Sequence, residues 1–573
     1  MKLPIGYDNF AEIINSNLDF IDKSLFIKEV LDNHIKVSVI TRPRRFGKTF
    51  NLSMLHHFLA WEIKGQSTRS LFNGLKITEL EEYMQHQGQY PVVAITFKDI
   101  KNLDFETAYQ KICDLIGDVY NEHNYLLSSP HLSTRDKTYF QKVLDSNPPQ
   151  ATLEESLKKL TEYLFKHYGK QPWLLIDEYD SPIHAAFFHG YYDRMVALIR
   201  GLLGSALKGN EFVKRAVVTG IMRVSKESLF SGVNNVIIYS MLNSKYGEYF
   251  GFTESEVSNL LEKSGLTHLT DKIRQWYNGY QIKNITLYNP WSILNCLDNQ
   301  GELKPYWVNT SDNVLLKQLL ARCNAQMKME LESLLLNETI SAPVDENIVF
   351  GELEKNSGSL WSFLIATGYL KAIHIQWKEA EQQCELAIPN QEIFALYRKL
   401  IKDWLGTSFG YEQYLTFILS LTQGLINDFA QYLQKYLLET ASYFDSSGTE
   451  PEKFYHGFVL GLMVTLSESH EIQSNRESGF GRYDVMLIPK DPEQLGIILE
   501  FKTVREPDAD LKQAAIKAVE QITQRRYEIT LKQKGIHRMV KVGLAFRGKE
   551  VEVYSVLLPE VMTDESVETG VAC

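Results

Sequence analysis

The chain is poor in cysteine. Its 573 residues include five, Cys113, Cys296, Cys323, Cys384 and Cys573. They are scattered, with no Cys-x-x-Cys pair and no histidine at zinc-ligand spacing. That excludes a zinc ribbon or finger and reads as reduced thiols in a reducing compartment. Long hydrophobic runs are missing too. No apolar stretch approaches the ~20 residues that a bilayer-crossing helix needs. The opening residues, Met1-Lys2-Leu3-Pro4-Ile5-Gly6-Tyr7-Asp8, carry no signal-peptide apolar core. The expectation is a cytoplasmic protein without a membrane partner; export by a machinery that reads no cleavable signal stays open. Positive charge is not in excess either. A formal net charge of -11 argues against a surface coated in basic residues for bulk nucleic-acid binding. It leaves room for a local basic channel, because charge can be segregated within one domain. Glycine and proline are unremarkable in number, and no internal repeat or low-complexity tract stands out.

What is present is a chain long enough for about three domains. Val37-Ser38-Val39-Ile40 is a short β-branched run. Arg42-Pro43-Arg44-Arg45-Phe46-Gly47 follows as a turn. From Lys48 on, Phe50, Leu52, Met54, Leu55, Phe58 and Leu59 recur at helical spacing. Further buried strands are expected at 91–97, at 173–176 running into Asp177-Glu178, and at 215–219 ending at Gly220. Continuous apolar strands with helical segments between them predict an α/β fold with a parallel sheet covered on both faces. After about residue 250 the pattern turns to helices rich in Leu, Trp and Tyr. The segment from about 445 reads helix, strand, turn, strand, helix, strand, with Ser446-Ser447-Gly448-Thr449 as a linker or loop.

Gly47-Lys48-Thr49 sits where a phosphate-binding loop requires it, after a strand and at the opening of a helix. Main-chain N–H groups and the helix dipole there favour an anion. Lys48 would reach the β- and γ-phosphates of ATP, and Thr49 would ligate Mg²⁺. The full motif has glycine where this chain has Arg42, and Pro43 lacks one donor. Taken alone, the pattern also fits a chance strand–turn–helix. The strand ending in Asp177-Glu178 adds a second element, since ligands of open α/β sheets bind at the carboxyl ends of strands. Asp177 is suited to the Mg²⁺ shell and Glu178 to polarising an attacking water. The plain alternative is that both carboxylates cap the next helix. Asp180 reads as a local cap or turn residue. A strand lies between the phosphate loop and the acidic strand, an order that resembles the additional-strand ATPases. In that group a polar residue on the next strand senses the γ-phosphate, and Thr219 holds that place. Arg223 is near enough to contact phosphate or a neighbour. An arginine finger and a structural salt bridge explain it equally well, and a finger acting in trans would require a homo-oligomer.

Arg42-Pro43-Arg44-Arg45-Phe46-Gly47-Lys48-Thr49, Ile176-Asp177-Glu178-Tyr179-Asp180, and Thr219-Gly220 through Ser231 with Asn234-Asn235 resemble the AAA-ATPase-like family, which is found mostly in bacteria. Phe250-Gly251-Phe252-Thr253 and Trp276-Tyr277-Asn278-Gly279-Tyr280 resemble its downstream helical part, so the likeness covers roughly residues 3 to 300. The resemblance implies ATP and Mg²⁺ as ligands, with Arg45, Gly47, Lys48, Thr49, Asp177, Thr219 and Arg223 around the nucleotide. It also implies that Arg-Pro-Arg-Arg-Phe commonly replaces the glycine-rich start of the loop.

A second constellation lies near the C-terminus. Gly481 to Ile488 reads as a strand carrying Asp484. A polar turn from Pro489 to Leu495 leads into Gly496-Ile497-Ile498-Leu499-Glu500-Phe501-Lys502. Residues two apart in a strand share a face, so Glu500 and Lys502 lie together and a hairpin can bring Asp484 beside them. Two carboxylates suit Mg²⁺. The metal activates a water, and Lys502 can orient it and stabilise the pentacovalent phosphorus. The alternative is a surface hairpin with a solvated Glu–Lys pair. Asp484, Glu500 and Lys502 resemble the D…ExK motif of the PD-(D/E)XK nuclease superfamily, over roughly residues 450 to 555. The resemblance extends to a first core helix from Tyr455 to Leu466, with Glu452 at its start and Glu477 as a further contact. It also extends to Gln521 and Tyr527 on the helix that often completes such sites. Arg525-Arg526 is the best candidate for a phosphate-contacting patch. The aromatic segment 276–291 either stacks bases or packs helices.

The expected architecture is therefore a P-loop NTPase parallel sheet of the additional-strand type over 1–250, a helical lid and connector over 251–445, and a restriction-endonuclease-like α/β domain over 446–573. The expected function is an ATP-binding and ATP-hydrolysing protein with a Mg²⁺-dependent nuclease-like domain acting on nucleic acid, DNA or RNA. The rival from another class is a nucleotide-dependent switch or scaffold whose nuclease-like domain only binds a partner.

Overall fold

The computed structural model describes residues 1–145, 147–222, 236–308, 325–335, 338–346, 357–379, 381–409, 411–440, 469–474, 484–504 and 509–558, with a few further positions between them. It divides into two compact units, Met1–Asn313 with Ser341–Ile393, and Val314–Ile340 with Phe394–Cys573.

The first unit is built on five parallel strands: β1 (Val37–Thr41), β2 (Val92–Thr96), β3 (Trp173–Asp177), β4 (Arg215–Gly220) and β5 (Val236–Tyr239). Their order across the sheet is β2-β3-β4-β1-β5. β1 and β3 are buried at every position, as expected where helices cover both faces of a parallel sheet. The strand between the phosphate loop and the acidic strand in sequence, β2, therefore lies at the sheet edge. The strand between them in space is β4, inserted between β1 and β3. This is the additional-strand arrangement, and it brings Thr219 of β4 beside the ends of both functional strands.

The part of the first unit after residue 250 contains strands as well as helices. Helix Glu254–Ser264 opens with a capping box, in which Thr253 and Glu256 satisfy each other's main-chain N–H groups. A hairpin of β6 (Asn278–Ile282) and β7 (Ile285–Tyr288) and the helix Pro290–Asp298 follow. A second small sheet has the order β8 (Ile340–Pro343), β10 (Glu381–Ala387), β9 (Lys371–Lys378). Tyr277, Tyr280 and Tyr288 are each at most 1% exposed, so most of the aromatic segment 276–291 packs inside the unit.

The second unit holds a mixed sheet in the order β11 (His470–Ser474), β14 (Val485–Pro489), β15 (Gly496–Thr503), β16 (Met539–Arg547), β17 (Glu550–Leu558). Only β15 and β16 run parallel. The expected strand from Gly481 is broken into β13 (Gly481–Arg482), which pairs with β12 (Glu477–Ser478), and β14. Asp484 sits at the bend between the two pieces, not within a strand. Helices Tyr411–Thr422 and Ile426–Thr440, placed by sequence in the connector, share the apolar core of this sheet through Phe417, Phe429, Leu433 and Tyr436. Val459, Met463 and Leu466 belong to the same core. The rest of the expected helix 455–466, with Glu452, lies outside the described residues. On the other face, helix Leu511–Arg525 starts at Asp510, whose carboxylate caps the N–H groups of Lys512 and Gln513. No helix among the described residues is long and apolar enough to cross a membrane.

Candidate nucleotide and metal sites

The phosphate loop leaves β1 and turns sharply into the helix Lys48–Leu59. Gly47, with φ 81°, is the left-handed residue ahead of that helix, and Arg45 at φ 66° makes the preceding reversal. Lys48 is buried, and its Nζ donates to the carbonyls of Arg42 at 3.0 Å and Pro43 at 2.9 Å. Burial holds its pKa below the ordinary lysine value against the opposing fields of Glu178 and Asp177.

Asp177 is the centre of a hydroxyl cluster. Its Oδ2 accepts from Thr49 Oγ1 at 2.8 Å and from Thr96 Oγ1 at 3.4 Å, and its Oδ1 accepts from Thr219 Oγ1. Burial pushes its carboxyl above the usual range, and the Thr219 and Thr49 hydroxyls pull it back. These partners belong to the loop helix, β2 and β4, so Asp177 does not cap the helix after β3. Glu178 follows in a left-handed conformation at φ 49° and accepts from Ser181 Oγ at 3.1 Å. Asp180 stands at the N-cap of helix Ser181–His189 but makes no side-chain cap bond. Its Oδ2 instead accepts the N–H groups of Ile221 at 2.8 Å and Met222 at 3.0 Å, with His184 Nε2 at 3.3 Å. Burial works to raise its pKa, yet His184 and these donors hold it below the usual carboxylate range. Tyr179 Oη donates to the Met222 carbonyl at 2.6 Å. The Asp-Glu-Tyr-Asp segment therefore does two jobs, one at the loop and one at the end of β4. Arg223 lies outside the described residues.

A cavity of about 380 Å³ reaches this cluster at Thr49. Arg44, Arg45, Gly47, Lys48, Thr49 and Glu178 line its phosphate-loop side, and Ile5, Phe20, Phe252, Leu260, Trp291 and Leu294 give it an apolar wall. A charged floor beside an apolar wall fits the phosphates and base of a nucleotide. Thr49 and Asp177 are the oxygen donors that would hold Mg²⁺ beside it. Sequence reasoning missed three features. Thr96 is the third hydroxyl on Asp177, and its position at the carboxyl end of β2 was its signal. Trp291 and Trp307 touch the loop from far along the chain. Arg42, in place of the motif's first glycine, is fully buried; its Nη1 donates to the carbonyls of Thr41, Tyr239 and Ser240 at 2.8–2.9 Å and its Nη2 to that of Lys245 at 3.1 Å. Burial pushes its pKa down to about 9.

In the second unit, β14 and β15 pair with Val485 opposite Leu499. One step on, Asp484 stands opposite Glu500, and Asp484 Oδ2 accepts from the N–H of Phe501 at 2.7 Å. Glu500 is 2% exposed, so it is no solvated surface carboxylate. Its Oε1 accepts from Gln521 Nε2 and lies 3.6 Å from Lys502 Nζ. Lys502 Nζ donates to Gln521 Oε1 at 2.7 Å. Glu500 Oε2 is buried without a hydrogen-bond partner. Burial, and then the charge of Asp484, push the Glu500 carboxyl up to about 8 against the pull of Lys502. A buried carboxylate oxygen lacking a donor, beside a second carboxylate, is a fit for a hard divalent cation. Among the described residues, no group of three or more His, Cys, Asp or Glu is arranged to hold a metal ion.

Gln521 reaches Glu500 because its helix lies close on β16. Gly543, opposite Glu500 in the parallel pair, faces Ala515 and Ala518. A Cβ on Gly543 would stand 2.1 Å from the Ala515 carbonyl oxygen. Arg525 and Arg526 are exposed at the end of the same helix, where Arg526 at φ 56° closes it, and the buried Tyr527 follows. Glu477 lies on β12.

Among curated proteins, the chain is 26% identical to the "uncharacterized protein in vnfD 5′ region" of Azotobacter chroococcum mcd 1 over 398 residues, 69% of this chain and 68% of that protein. Residues 4–230 match the predicted AAA-ATPase family and residues 450–555 match the PD-(D/E)XK nuclease superfamily, so the chain joins an AAA-ATPase-like domain to a PD-(D/E)XK nuclease superfamily domain.

Proposed function

We propose that the first unit binds and hydrolyses ATP with Mg²⁺ and that the second cleaves nucleic-acid phosphodiesters with a divalent cation. The observation that carries the first part is the meeting of Thr49, which lines the cavity, with Asp177 and Thr219 at the carboxyl edge of a β5-β1-β4-β3-β2 sheet. Lys48 and the loop N–H groups bind the phosphates. Thr219 reads their far end. Glu178, beside them, takes the proton of the attacking water. Thr49 and Asp177 would hold Mg²⁺, which would neutralise phosphate charge.

The second part is supported by Asp484, the unpartnered Glu500 oxygen, Lys502 and Gln521 gathered at one point of the sheet. Asp484 and Glu500 would hold a divalent cation, which would activate a water and shield the phosphodiester. Lys502 would orient that water, and the exposed Arg525 and Arg526 would meet the phosphate backbone.

The test is Mg²⁺-dependent cleavage of labelled single- and double-stranded DNA and RNA, with and without ATP, by wild type and by Asp484→Ala. Cleavage lost in the variant supports the reading and identifies the substrate class. Folded, ATP-binding protein that cuts nothing sinks the nuclease half and leaves a nucleotide-dependent switch or scaffold.

A further inference from the structure

The loop is clasped residue by residue within the first unit. Arg42 is tied to main-chain carbonyls as described above. Pro43 packs on Gly368, where a Cβ would stand 3.0 Å from Pro43 Cβ. The Arg44 carbonyl accepts from Trp307 Nε1 at 3.2 Å. The Arg45 guanidinium lies 4.3 Å from the centre of the Trp291 ring. Phe46 meets Tyr280 edge-on with ring centres 5.0 Å apart, and its carbonyl accepts from Gly251 N–H at 3.2 Å. A glycine-rich loop wraps phosphate with its main-chain N–H groups; this loop is held by its neighbours through side chains and through the Arg44 and Phe46 carbonyls.

The Arg44 guanidinium is the group left over. It lines the cavity with Lys48, Thr49 and Glu178. It is near enough that its charge acts on Lys48. No hydrogen bond or ion pair engages it among the described residues. The same loop lacks the N–H that Pro43 cannot supply, and Lys48 Nζ directs two of its three donors to the Arg42 and Pro43 carbonyls, which leaves one for phosphate. A guanidinium on an anchored main chain presents up to five donors in a planar fork that matches a phosphate face.

We propose that Arg44 contacts the terminal phosphate of the bound nucleoside triphosphate, supplying the donors that a glycine-rich loop draws from its main chain. This rests on the nucleotide reading above. Glu178 and Thr49, which line the same side of the cavity, place the reacting end of the nucleotide there. The added charge therefore favours the triphosphate over the diphosphate, which lacks that group.

The experiment is calorimetric titration of full-length wild type, Arg44→Ala and Arg44→Lys with ATP and with ADP in Mg²⁺. The expected result is an ATP Kd raised about tenfold or more in Arg44→Ala, with ADP changed far less and Arg44→Lys in between. Retained ADP binding also certifies that the variant is folded. Equal weakening of ATP and ADP would assign Arg44 to the shape of the loop and overturn the proposal. So would unchanged ATP binding. A wild-type protein that binds neither nucleotide would instead sink the nucleotide reading itself, which keeps the two failures apart.

Discussion

Thr49 Oγ1 donates to Asp177 Oδ2 at 2.8 Å, joining residues 128 positions apart in the chain. The bond links the start of the phosphate-loop helix to the end of β3. It matters because Asp177 is also held by Thr219 and Thr96, so one carboxylate reports the state of three elements.

Asp177→Asn tests that arrangement. The asparagine keeps the size and removes a desolvated charge, whose burial costs stability when no cation is present. Without nucleotide the variant is expected to melt no lower than wild type. With ATP and Mg²⁺ the wild type should gain stability by mass action, roughly 2.7 kcal/mol at a hundredfold excess over Kd, and the variant should gain little. Thermal melts with and without ATP·Mg²⁺ read both numbers. Full ligand stabilisation of Asp177→Asn would remove Asp177 from the metal site.

Gln521 supplies the second test. Its amide joins Glu500 to Lys502, with its nitrogen on the carboxylate and its oxygen on the ammonium. Gln521→Ala leaves the three motif residues in place and unties them. The expected loss of Mg²⁺-dependent cleavage is on the order of 10–100-fold, the usual cost of removing a partner that orients a metal ligand. Gln521→Glu would put a third carboxylate beside Glu500 and should tighten metal binding while disturbing Lys502. A wild-type rate in Gln521→Ala would leave the amide as packing.

Much of this was legible in the sequence, because both sites ride on strand ends. Apolar runs finishing in Asp177-Glu178 and in Glu500-Phe501-Lys502 mark the carboxyl edges of sheets, and period-two alternation puts Glu500 and Lys502 on one face. What stayed hidden depended on long-range neighbours. The strand that separates β1 from β3 in space is β4, a neighbour relation that the order of strands along the chain does not display. Asp180 looked like a local cap or turn residue, but its carboxylate accepts two main-chain N–H groups just past the end of β4 instead. The aromatic segment hid Trp291, which leaves its packed neighbours and meets Arg45 at the cavity.

Glu392, at the start of helix Gln391–Phe409, gives a pH prediction independent of either candidate metal site. Its carboxylate is fully buried; Oε2 accepts from Ser292 Oγ and Oε1 from the Trp307 N–H, both at 2.7 Å. Burial pushes its pKa from 4.5 up to about 7, against those two bonds. The folded protein therefore holds this proton where the unfolded chain has released it. Stability from this group is full below pH ~4.5 and is lost as pH rises towards about 7. Glu392→Gln should flatten that part of the melting-temperature profile, and Glu392→Ala should destabilise at every pH by leaving the Trp307 N–H without its acceptor. Parallel profiles for wild type and Glu392→Gln between pH 4.5 and about 7 would refute the assignment.

Arg42 separates loop chemistry from loop architecture. A glycine at this position would restore the common phosphate-loop pattern, so motif logic predicts that Arg42→Gly is tolerated. The structure predicts the reverse. The buried guanidinium serves carbonyls from Thr41, Tyr239, Ser240 and Lys245, and so fastens the end of β1 to the chain leaving β5. Its ring neighbour is Phe250, 5.5 Å from the guanidinium carbon to the ring centre. Glycine would strand those acceptors and open a cavity, at a cost of about 3 kcal/mol or more. Arg42→Lys should recover only part of it, because one ammonium cannot span two groups of carbonyls as a planar fork does. Urea unfolding of the first unit's transition measures the difference. An Arg42→Gly protein as stable as wild type, still binding ATP, would show that the arginine merely fills the space and that the loop holds its shape without this fastening.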